Sequence, residues 1–492
     1  MQPRAPGVNL VGYHHVDSGL GEIARSLSQS FRDAGVAVND IAVTATDSPV
    51  RGEPPQSGEL YSTTVAVVTA LQLPAVAELY PEPFAPDLLR VGYWFWELEV
   101  VPADQAPAFE LVDVVWAPST FVRDAYLTAG DTPVELHPPY LPEPVPSSAT
   151  RAELGMPDGL VLLTSFDYLS GVERKAPLRV VTAFREAFPD RDDIALMIKT
   201  INGNRKPAAA RTVRDFVGDD PRIALLDRHL PAADQSALIA HADVLVSLHR
   251  GEGLGLHIAE AMQLATPVVS TAYGGPVDLI DDTCAEMVGY NLTPILSGDG
   301  AYPEGEMWAE PDIFEAIAAL RRLADDAELR LRLAAAARAR IVAQPSSAAR
   351  GADMWAALQA RLDRRGTVGG GRRRAGTAVR HAARAVTSPA RGYLNAHFEA
   401  TKHEFREQIG ALARSQATTR DELAGLDELT RMVESLAGTV ADMHVHQTRT
   451  TLELVDQVRE LSDLRADVRT LADAVARLAD LIGAAAVDRA AE

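Results

Sequence analysis

The chain has 492 residues, of which 47% are hydrophobic and 23% charged, enough for two or three globular domains. The sequence has no run of eighteen apolar residues and so predicts no membrane-spanning helix, and its first apolar run is too short for a signal peptide. The net charge of −21 argues against general nucleic-acid binding, and the single cysteine, Cys284, excludes an intrachain disulfide and is expected to be a buried, inert thiol in a reducing compartment.

The first 140 residues alternate between strand and helix patterns. Apolar runs predict strands at Val8–Tyr13, Val65–Ala70, Leu88–Trp96 and Val114–Pro118. Helical spacing predicts the intervening helices at Leu20–Ala34, Pro102–Leu111 and Phe121–Ala129. Because strands that alternate with helices form parallel, doubly wound sheets, residues 1–141 are interpreted as one Rossmann-like domain.

Five prolines between residues 138 and 146 predict a linker, after which the alternation restarts. The second set of predicted strands is Leu160–Phe166, Ile194–Thr200, Ile223–Leu226, Val244–Leu248 and Pro267–Thr271. The helices between them are predicted at Ala176–Phe188, Pro231–His241 and Leu256–Leu264. Residues 142–365 are therefore a second Rossmann-like domain, whose last helix, at about 346–363, is expected to pack back on the first. Two such domains usually bind a ligand in the cleft between them.

A glycine-rich loop containing Gly19 and Gly21 follows the first strand and precedes a helix. Glycine lets the backbone approach a ligand closely, and a helix N-terminus favours an anion. This pattern leaves two interpretations open. The loop binds phosphate, or Asp17 or Ser18 simply caps the helix.

A second glycine-rich loop follows the strand Val244–Leu248 and leads into a helix that carries Glu260. Its free backbone N–H groups can meet phosphate oxygens at the helix start. Glu252 and Glu260 are eight positions apart, about 12 Å along a helix, which suits contacts to two parts of an extended ligand. The alternative is a surface loop with solvated glutamates.

Arg174 and Lys175 follow the strand that ends near Asp167, where adjacent cations can neutralise a diphosphate. Taken alone, such a pair is more often a solvated turn. Asp190 and Asp192 resemble a Mg²⁺ or Mn²⁺ pair, but they lie in a polar loop and are interpreted as a solvated turn.

The histidines that flank the second loop, His249 and His257, are eight positions apart, not the four of a helical metal pair. They are interpreted as packing groups. Because the two fixed cations Arg174 and Lys175 could replace a divalent metal at a diphosphate, no metal is predicted to be required.

Together these segments resemble family 4 glycosyltransferases, which have the GT-B fold. The resemblance covers about residues 8–345 and rests on five segments in order: VNLVGYHHVDSGLGEIAR, VGYWFWELEVVP, VVWAPSTFVRDAY, SFDYLSGVERKAPLRVVTAFREAF and SLHRGEGLGLHIAEAMQLATPVVSTAYGGPVDLI. The second and third segments resemble a subgroup associated with bacterial polysaccharide or O-antigen assembly and mannosyl transfer. The last contains the two glutamates, separated by seven residues, of the family signature.

The resemblance implies a role for each matching position. Gly19 and Gly21 would lie near the donor phosphates, and Arg174 and Lys175 would stabilise the departing nucleoside diphosphate. Glu260 would bind the ribose hydroxyls. Glu252 would lie near the donor sugar, beside the amides of Gly253, Leu254 and Gly255. Many relatives have Lys-Asn-Pro where this chain has Lys175-Ala176-Pro177, a change that should not remove the cation.

Acceptor-side candidates lie in the first domain. Glu97 ends a predicted strand and is a candidate acceptor-site residue or base, with capping or ion pairing beside Trp96 as the alternative. His14 and His15 precede the first glycine-rich loop and are either substrate contacts or plain surface residues. Trp96 is a further acceptor-side candidate.

The resemblance implies a hexosyltransferase that retains anomeric configuration and acts on a glycan or lipid-linked acceptor in surface polysaccharide synthesis. The sequence itself predicts a cytoplasmic protein. Its donor would be a nucleotide sugar, with GDP-mannose as the first candidate, and no cofactor would be required. The alternatives are a nucleotide-sugar epimerase or other GT-B enzyme, and a non-catalytic coiled-coil scaffold. The intact Arg174, Lys175, Glu252 and Glu260 argue against the scaffold.

The segment 366–398 is a basic linker whose arginines between 372 and 391 could lie on an anionic membrane surface at the inner face of the cell membrane. The alternative is a solvated linker. Residues 399–492 are predicted to be helical. Within them, residues 426–482 carry a heptad pattern with fourteen of seventeen a and d positions apolar. β-Branched residues at a with Leu at d favour a parallel two-stranded coiled coil, and hence a homodimer.

Overall fold

A computed structural model of the chain describes residues 4–44, 53–55, 58–296 and 302–367, with side chains described as far as residue 365. All of these belong to one compact unit, residues 1–373. The predicted basic segment at 372–391 and the predicted coiled coil at 426–482 lie outside the described residues. Across the part that is described, no helix combines the length and apolarity needed to cross a membrane.

The first half of the described chain forms a six-stranded parallel sheet in the order β2-β1-β3-β4-β5-β6. Its strands are β1 (Val8–Gly12), β2 (Val38–Ala42), β3 (Thr63–Val67), β4 (Leu89–Tyr93), β5 (Val114–Ala117) and β6 (Val134–Leu136). The helices are α1 (Gly19–Asp33), α2 (Leu73–Leu79), α3 (Ala106–Phe109) and α4 (Thr120–Leu127). The strands β1, β3 and β5 are buried along their whole length, as expected when helices cover both faces of a parallel sheet.

The second half forms another six-stranded parallel sheet, in the order β12-β11-β10-β7-β8-β9. Its strands are β7 (Leu160–Asp167), β8 (Ile194–Ile201), β9 (Ile223–Asp227), β10 (Val244–Ser247), β11 (Val268–Thr271) and β12 (Glu286–Val288). The helices are α5 (Val172–Lys175), α6 (Pro177–Ala187), α7 (Pro207–Val217), α8 (Ala232–His241), α9 (Leu256–Gln263), α10 (Ile313–Asp325) and α11 (Ala327–Val342). A separate antiparallel pair consists of β13 (Tyr290–Pro294) and β14 (Met307–Pro311). The two parallel sheets confirm the predicted pair of doubly wound domains.

Two predicted helices differ from the structure at their ends. The helix expected to start at Ala176 starts at Pro177, because Ala176 adopts a left-handed conformation with φ of 47°. Arg174 and Lys175 consequently lie on the short helix α5 and not on an open turn. The helix expected at Pro102–Leu111 is a 3-10 turn at Ala103–Gln105 followed by the four-residue α3.

The last described helix, α12 (Ser347–Thr367), extends beyond the expected end near Asp363 and packs against the first half of the chain. Met354 and Leu358 are buried in the hydrophobic cluster formed by β1 and α1. Gly351 lies so close to α1 that a Cβ there would overlap the carbonyl oxygen of Ser30. The chain therefore returns to its first sheet after completing its second.

Candidate active site

Backbone contacts join α5 to the glycine-rich loop between β10 and α9. The N–H of Arg250 donates to the carbonyl of Arg174 at 2.7 Å. The Arg174 guanidinium in turn donates to the carbonyl of Gly251 at 2.6 Å. Because β7 and β10 are adjacent parallel strands, their carboxyl ends bring these two segments to the same edge of the sheet.

Three charged side chains meet at this edge. The Lys175 ammonium donates to the Glu252 carboxylate, and an Arg174 nitrogen lies 3.7 Å from the same carboxylate oxygen. The side chains of Arg174, Lys175 and Glu252 are only 6%, 14% and 13% exposed. Two cations thus share one buried carboxylate, and the cluster keeps a net positive charge.

Burial and charge act in opposite directions on this cluster. Burial would raise the pKa of Glu252, but the charges of Lys175 and Arg174 outweigh it and hold that pKa well below its usual range. Burial lowers the pKa of Lys175, and Glu252 opposes this effect. An anionic ligand bound at this edge would meet both cations.

The glycine-rich loop lies in the cleft between the two halves. Gly251 faces the carbonyl of Glu97, and Gly253 lies close to Trp96. The carbonyl of Gly253 accepts a hydrogen bond of 2.7 Å from the Ser119 hydroxyl. The Leu254 side chain is buried in the hydrophobic cluster of the first half. These contacts place the candidate donor loop directly against the candidate acceptor-side segment.

Gly274 and Gly275 pack against this loop on the side away from Trp96 and Glu97. The N–H of Gly275 donates to the carbonyl of Glu252 at 2.7 Å. A Cβ at Gly274 would overlap the Glu252 carbonyl, and one at Gly275 would overlap the Gly253 carbonyl. Gly255, with φ of 90°, then precedes α9, and no side chain caps that helix. Its N-terminus thus faces the cleft beside the positive cluster, which suits an anion.

A further hydrogen-bonded contact crosses the cleft beside this loop. The backbone N–H of Thr120 donates to the Asp278 carboxylate at 2.7 Å, and the Thr120 hydroxyl donates to it at 2.5 Å. Thr120 belongs to α4 of the first half, whereas Asp278 lies just after Gly274–Gly275. Sequence reasoning missed both residues, because neither carries a pattern that indicates a partner 158 positions away.

Glu260 lies on α9, the helix that follows the glycine-rich loop. The Ser236 hydroxyl donates to its carboxylate at 2.6 Å. Burial raises the pKa of Glu260, and the nearby Glu22 charge on α1 raises it further. A Cβ at Gly19 would lie 3.3 Å from the Leu256 side chain, so the two glycine-rich loops meet across the cleft.

The remaining residues of the first loop have local partners in the structure. Ser18 caps α1 by accepting a hydrogen bond from the Gly21 N–H at 3.2 Å. A Cβ at Gly21 would overlap the Val16 carbonyl, so this glycine is required by packing. His14 is buried, with its Nε2 at 2.8 Å from the Leu10 carbonyl, and burial lowers its pKa. His15 is buried as well, so neither histidine is the surface residue considered as the alternative.

Glu97 and Trp96 lie against the same loop but have further partners. Trp96 is 3% exposed, and its indole donates to the Val100 carbonyl at 2.8 Å. The Glu97 carboxylate accepts a hydrogen bond of 3.0 Å from Tyr302. Sequence reasoning missed Tyr302, which lies in a polar stretch without a recognisable motif.

A chain of neutral groups lies beneath the cluster. Ser247 bridges His249 and His257 at 3.0 Å each, and the other ring nitrogen of His249 lies 3.0 Å from the Tyr273 carbonyl. Burial lowers the pKa of His249 to about 4 and that of His257 to about 3, with Lys175 adding to the effect on His257. Both histidines are therefore neutral at neutral pH. Cys284 is also buried, with 1% exposure. Within the described ranges, no group of three His, Cys, Asp or Glu side chains could hold a metal ion.

The chain was compared with known proteins. Residues 168–294 match the family model described as Glycosyl transferases group 1. No curated protein matches the sequence. Sucrose-phosphate synthase from Thermosynechococcus elongatus is similar in structure, with 18% identity and a TM-score of 0.52 over 73% of this chain and 99% of that chain. The Anabaena protein HepE in complex with UDP and glucose shows 15% identity and a TM-score of 0.50 over 72% of this chain and 100% of that chain.

The structural similarities concern the fold, since both identities are low. The matched family segment extends from just after β7 to the end of β13 and contains Arg174, Lys175, Glu252 and Glu260. The segment match supports a glycosyltransferase, and the structural similarities support the GT-B fold.

Proposed function

We propose that this chain is a retaining glycosyltransferase that moves a hexose from a nucleotide-diphosphate sugar to a glycan or lipid-linked acceptor in surface polysaccharide synthesis. The observation that carries the proposal is the buried Arg174–Lys175–Glu252 cluster at the uncapped start of α9. Breaking the bond between the anomeric carbon and the phosphate places negative charge on the leaving diphosphate. Fixed cations and a helix N-terminus are most effective where that charge develops.

The other site residues have roles in the same proposal. Glu260, on α9, binds the ribose in this proposal, and Gly19, which lies against Leu256, lines the donor side of the cleft. Glu97 is the acceptor-side carboxylate, because its backbone lies against Gly251. Two fixed cations can take the charge-neutralising role of a metal, so the proposed reaction is metal-independent.

The proposal is tested with a panel of nucleotide sugars that includes GDP-mannose and UDP-glucose. We expect release of nucleoside diphosphate from at least one donor, and at least a hundredfold loss in Lys175→Ala and Glu252→Ala, as when a transition-state contact is removed. The exposed Lys206→Ala and Glu186→Gln serve as matched controls and should keep wild-type rates.

The outcomes of the panel separate the alternatives. Conversion of the sugar without release of nucleoside diphosphate would indicate an epimerase. Failure of every donor to bind would favour a non-catalytic scaffold. The anomeric configuration of the product, read by NMR, decides between retention and inversion.

The proposals for localisation and assembly rest on the sequence alone. We propose a cytoplasmic protein that dimerises through residues 426–482 and touches anionic lipid through residues 372–391. Pelleting with anionic but not neutral liposomes, lost when six arginines are changed to Ser, would support the lipid contact. These are Arg372, Arg373, Arg374, Arg380, Arg384 and Arg391.

A further inference from the structure

Arg250 is a buried cation next to Gly251 of the glycine-rich loop. Its side chain is only 10% exposed, so its guanidinium needs partners inside the protein. The guanidinium donates to the Glu310 carboxylate at 2.6 Å and to the Glu173 carboxylate at 2.7 Å. It also lies over the Trp308 ring, 4.8 Å from the ring centroid. Arg250 therefore connects α5, which carries Glu173, with β14, which carries Glu310 and Trp308.

The backbone of Arg250 makes the same two connections. Its N–H donates to the carbonyl of Arg174 on α5 at 2.7 Å, and its carbonyl accepts from the N–H of Ala309 on β14 at 2.9 Å. A further bond to α5 comes from the guanidinium, which donates to the Glu173 carbonyl at 2.9 Å. One residue thus joins the loop, the helix and the strand through both its backbone and its side chain.

These bonds matter because α5 is only four residues long. Residues with positive φ bound it on both sides, Gly171 with φ of 84° and Ala176 with φ of 47°. Such a short helix is not stable by itself, so contacts with other segments must set its orientation. The carbonyls of its last turn also lack partners within the helix. Arg250 supplies donors to two of these carbonyls, those of Glu173 and Arg174, and a cation is favourable at that end of a helix.

We propose that Arg250 is a positioning residue that caps the carboxyl end of α5 and so fixes Arg174 and Lys175 where a diphosphate binds. The inference deepens the proposed function and rests on it for the identity of the ligand. It requires the planar fork of arginine, whose donors reach partners in two directions, whereas lysine offers a single nitrogen. Arg250→Lys therefore keeps the charge and removes the fork.

The experiment measures the binding of inorganic pyrophosphate to the full-length protein by calorimetry. In Arg250→Lys we expect the affinity to fall about tenfold at unchanged stoichiometry, because Coulomb attraction weakens when the cations move away from the anion. A merely structural role would instead lower the number of binding sites per chain and leave the affinity of the folded molecules unchanged.

Arg179→Lys is the matched control. Arg179 also pairs with Glu310, at 2.5 Å, but it lies on α6 and its side chain is 43% exposed. This variant should bind pyrophosphate as the wild type does.

The deciding variant combines Arg250→Lys with Lys175→Ala. If Arg250 acts through the cations of α5, Arg250→Lys should weaken binding by about threefold or less once the Lys175 ammonium is absent. A further loss of about tenfold in that background would mean that Arg250 acts on the ligand directly, and would contradict a positioning role.

Glu173→Gln is the second variant, to be used if Arg250→Lys does not fold. It removes one of the bonds between the guanidinium and α5 at a carboxylate that is 56% exposed. We expect pyrophosphate binding about threefold weaker than in the wild type, since the other bonds of Arg250 to α5 remain.

Wild-type affinity in Arg250→Lys, or in Glu173→Gln where that variant takes its place, would overturn the inference, as would a loss of binding sites without a loss of affinity. Absence of pyrophosphate binding by the wild type would overturn it as well. The expected pattern of affinities without turnover of any sugar nucleotide would uphold the inference and count against the proposed function.

Discussion

At the scale of single residues, loss of the Glu252 carboxylate and loss of one of its two cations are expected to have unequal effects. It is the shared partner of both Lys175 and Arg174. Removing Lys175 therefore leaves Glu252 paired with Arg174, whereas removing Glu252 leaves two buried cations without that partner. Breaking a buried pair from one side typically costs about 3–5 kcal/mol.

This asymmetry predicts unequal losses of stability. Glu252→Gln should lower the free energy of unfolding by about 3 kcal/mol, and Lys175→Met by less than half of that. Urea denaturation measures both values. Adding pyrophosphate should restore stability to Glu252→Gln more than to the wild type, because the anion replaces the lost charge. Equal losses in the two variants would contradict the shared-carboxylate description.

The sequence predicted some site residues and missed others for a physical reason. Arg174, Lys175 and Glu252 belong to short local patterns, so their chemistry is visible without a structure. Tyr302 contacts residues more than a hundred positions away, and no local pattern indicates those contacts. Gly275 stood in a segment that was recognised, but its close approach to Gly253 exists only in the folded chain.

At the scale of elements, the glycine-rich loop before α9 is held between Gly274–Gly275 on one side and Trp96–Glu97 on the other. On both sides the close contacts are between backbone atoms, so movement of a flexible side chain cannot make room for the loop to shift. The loop is therefore preorganised, which is the condition under which fixed dipoles stabilise a transition state.

A Gly275→Ala substitution tests this preorganisation. Because its Cβ would overlap the Gly253 carbonyl, we expect a loss of about 1–3 kcal/mol in the free energy of unfolding, as for overpacking. Nucleoside diphosphate release should fall at least tenfold. Gly58→Ala is the control, since its Cβ would meet only the Asn39 side chain, at 3.7 Å. A Gly275→Ala variant with wild-type stability and release would show that the loop can shift freely.

Two strands that the sequence missed have a weak hydrophobic signal. β2 is an edge strand with the sequence VNDIA, and it alternates between buried and half-buried residues. β6 is only three residues long and half-buried. The strands of the sheet centre, such as β1 and β10, are continuous apolar runs and were predicted within one or two residues. A strand that is buried on both faces is a continuous apolar run, and such a run can be recognised in the sequence.

At the scale of the whole molecule, the neutral buried histidines make stability depend on pH. Burial lowers the pKa of His249 to about 4 and that of His257 to about 3, from ordinary values of 6.5. The unfolded chain therefore binds protons first as pH falls, and stability decreases from about pH 6.5 down to the folded-state values. Above pH 6.5 neither histidine contributes.

Denaturation at pH 7.5 and pH 5.0 checks this dependence. Each histidine should cost about 2 kcal/mol of unfolding free energy between these two pH values, since one pKa unit corresponds to about 1.4 kcal/mol. His257→Gln should lose about 2 kcal/mol less than the wild type over this interval. The exposed His229→Gln should follow the wild type. A pH-independent free energy of unfolding would contradict the neutral buried pair.

The return of α12 to the first sheet has a mechanical consequence. The polypeptide passes between the two halves once after β6 and again before Ser347, so two backbone connections join the halves at separate points. A swing that widens the cleft must bend both connections together, which confines it to rotation about an axis through them. We expect substrate entry that widens the cleft to follow this one hinge direction, because the chain crosses between the halves at both points.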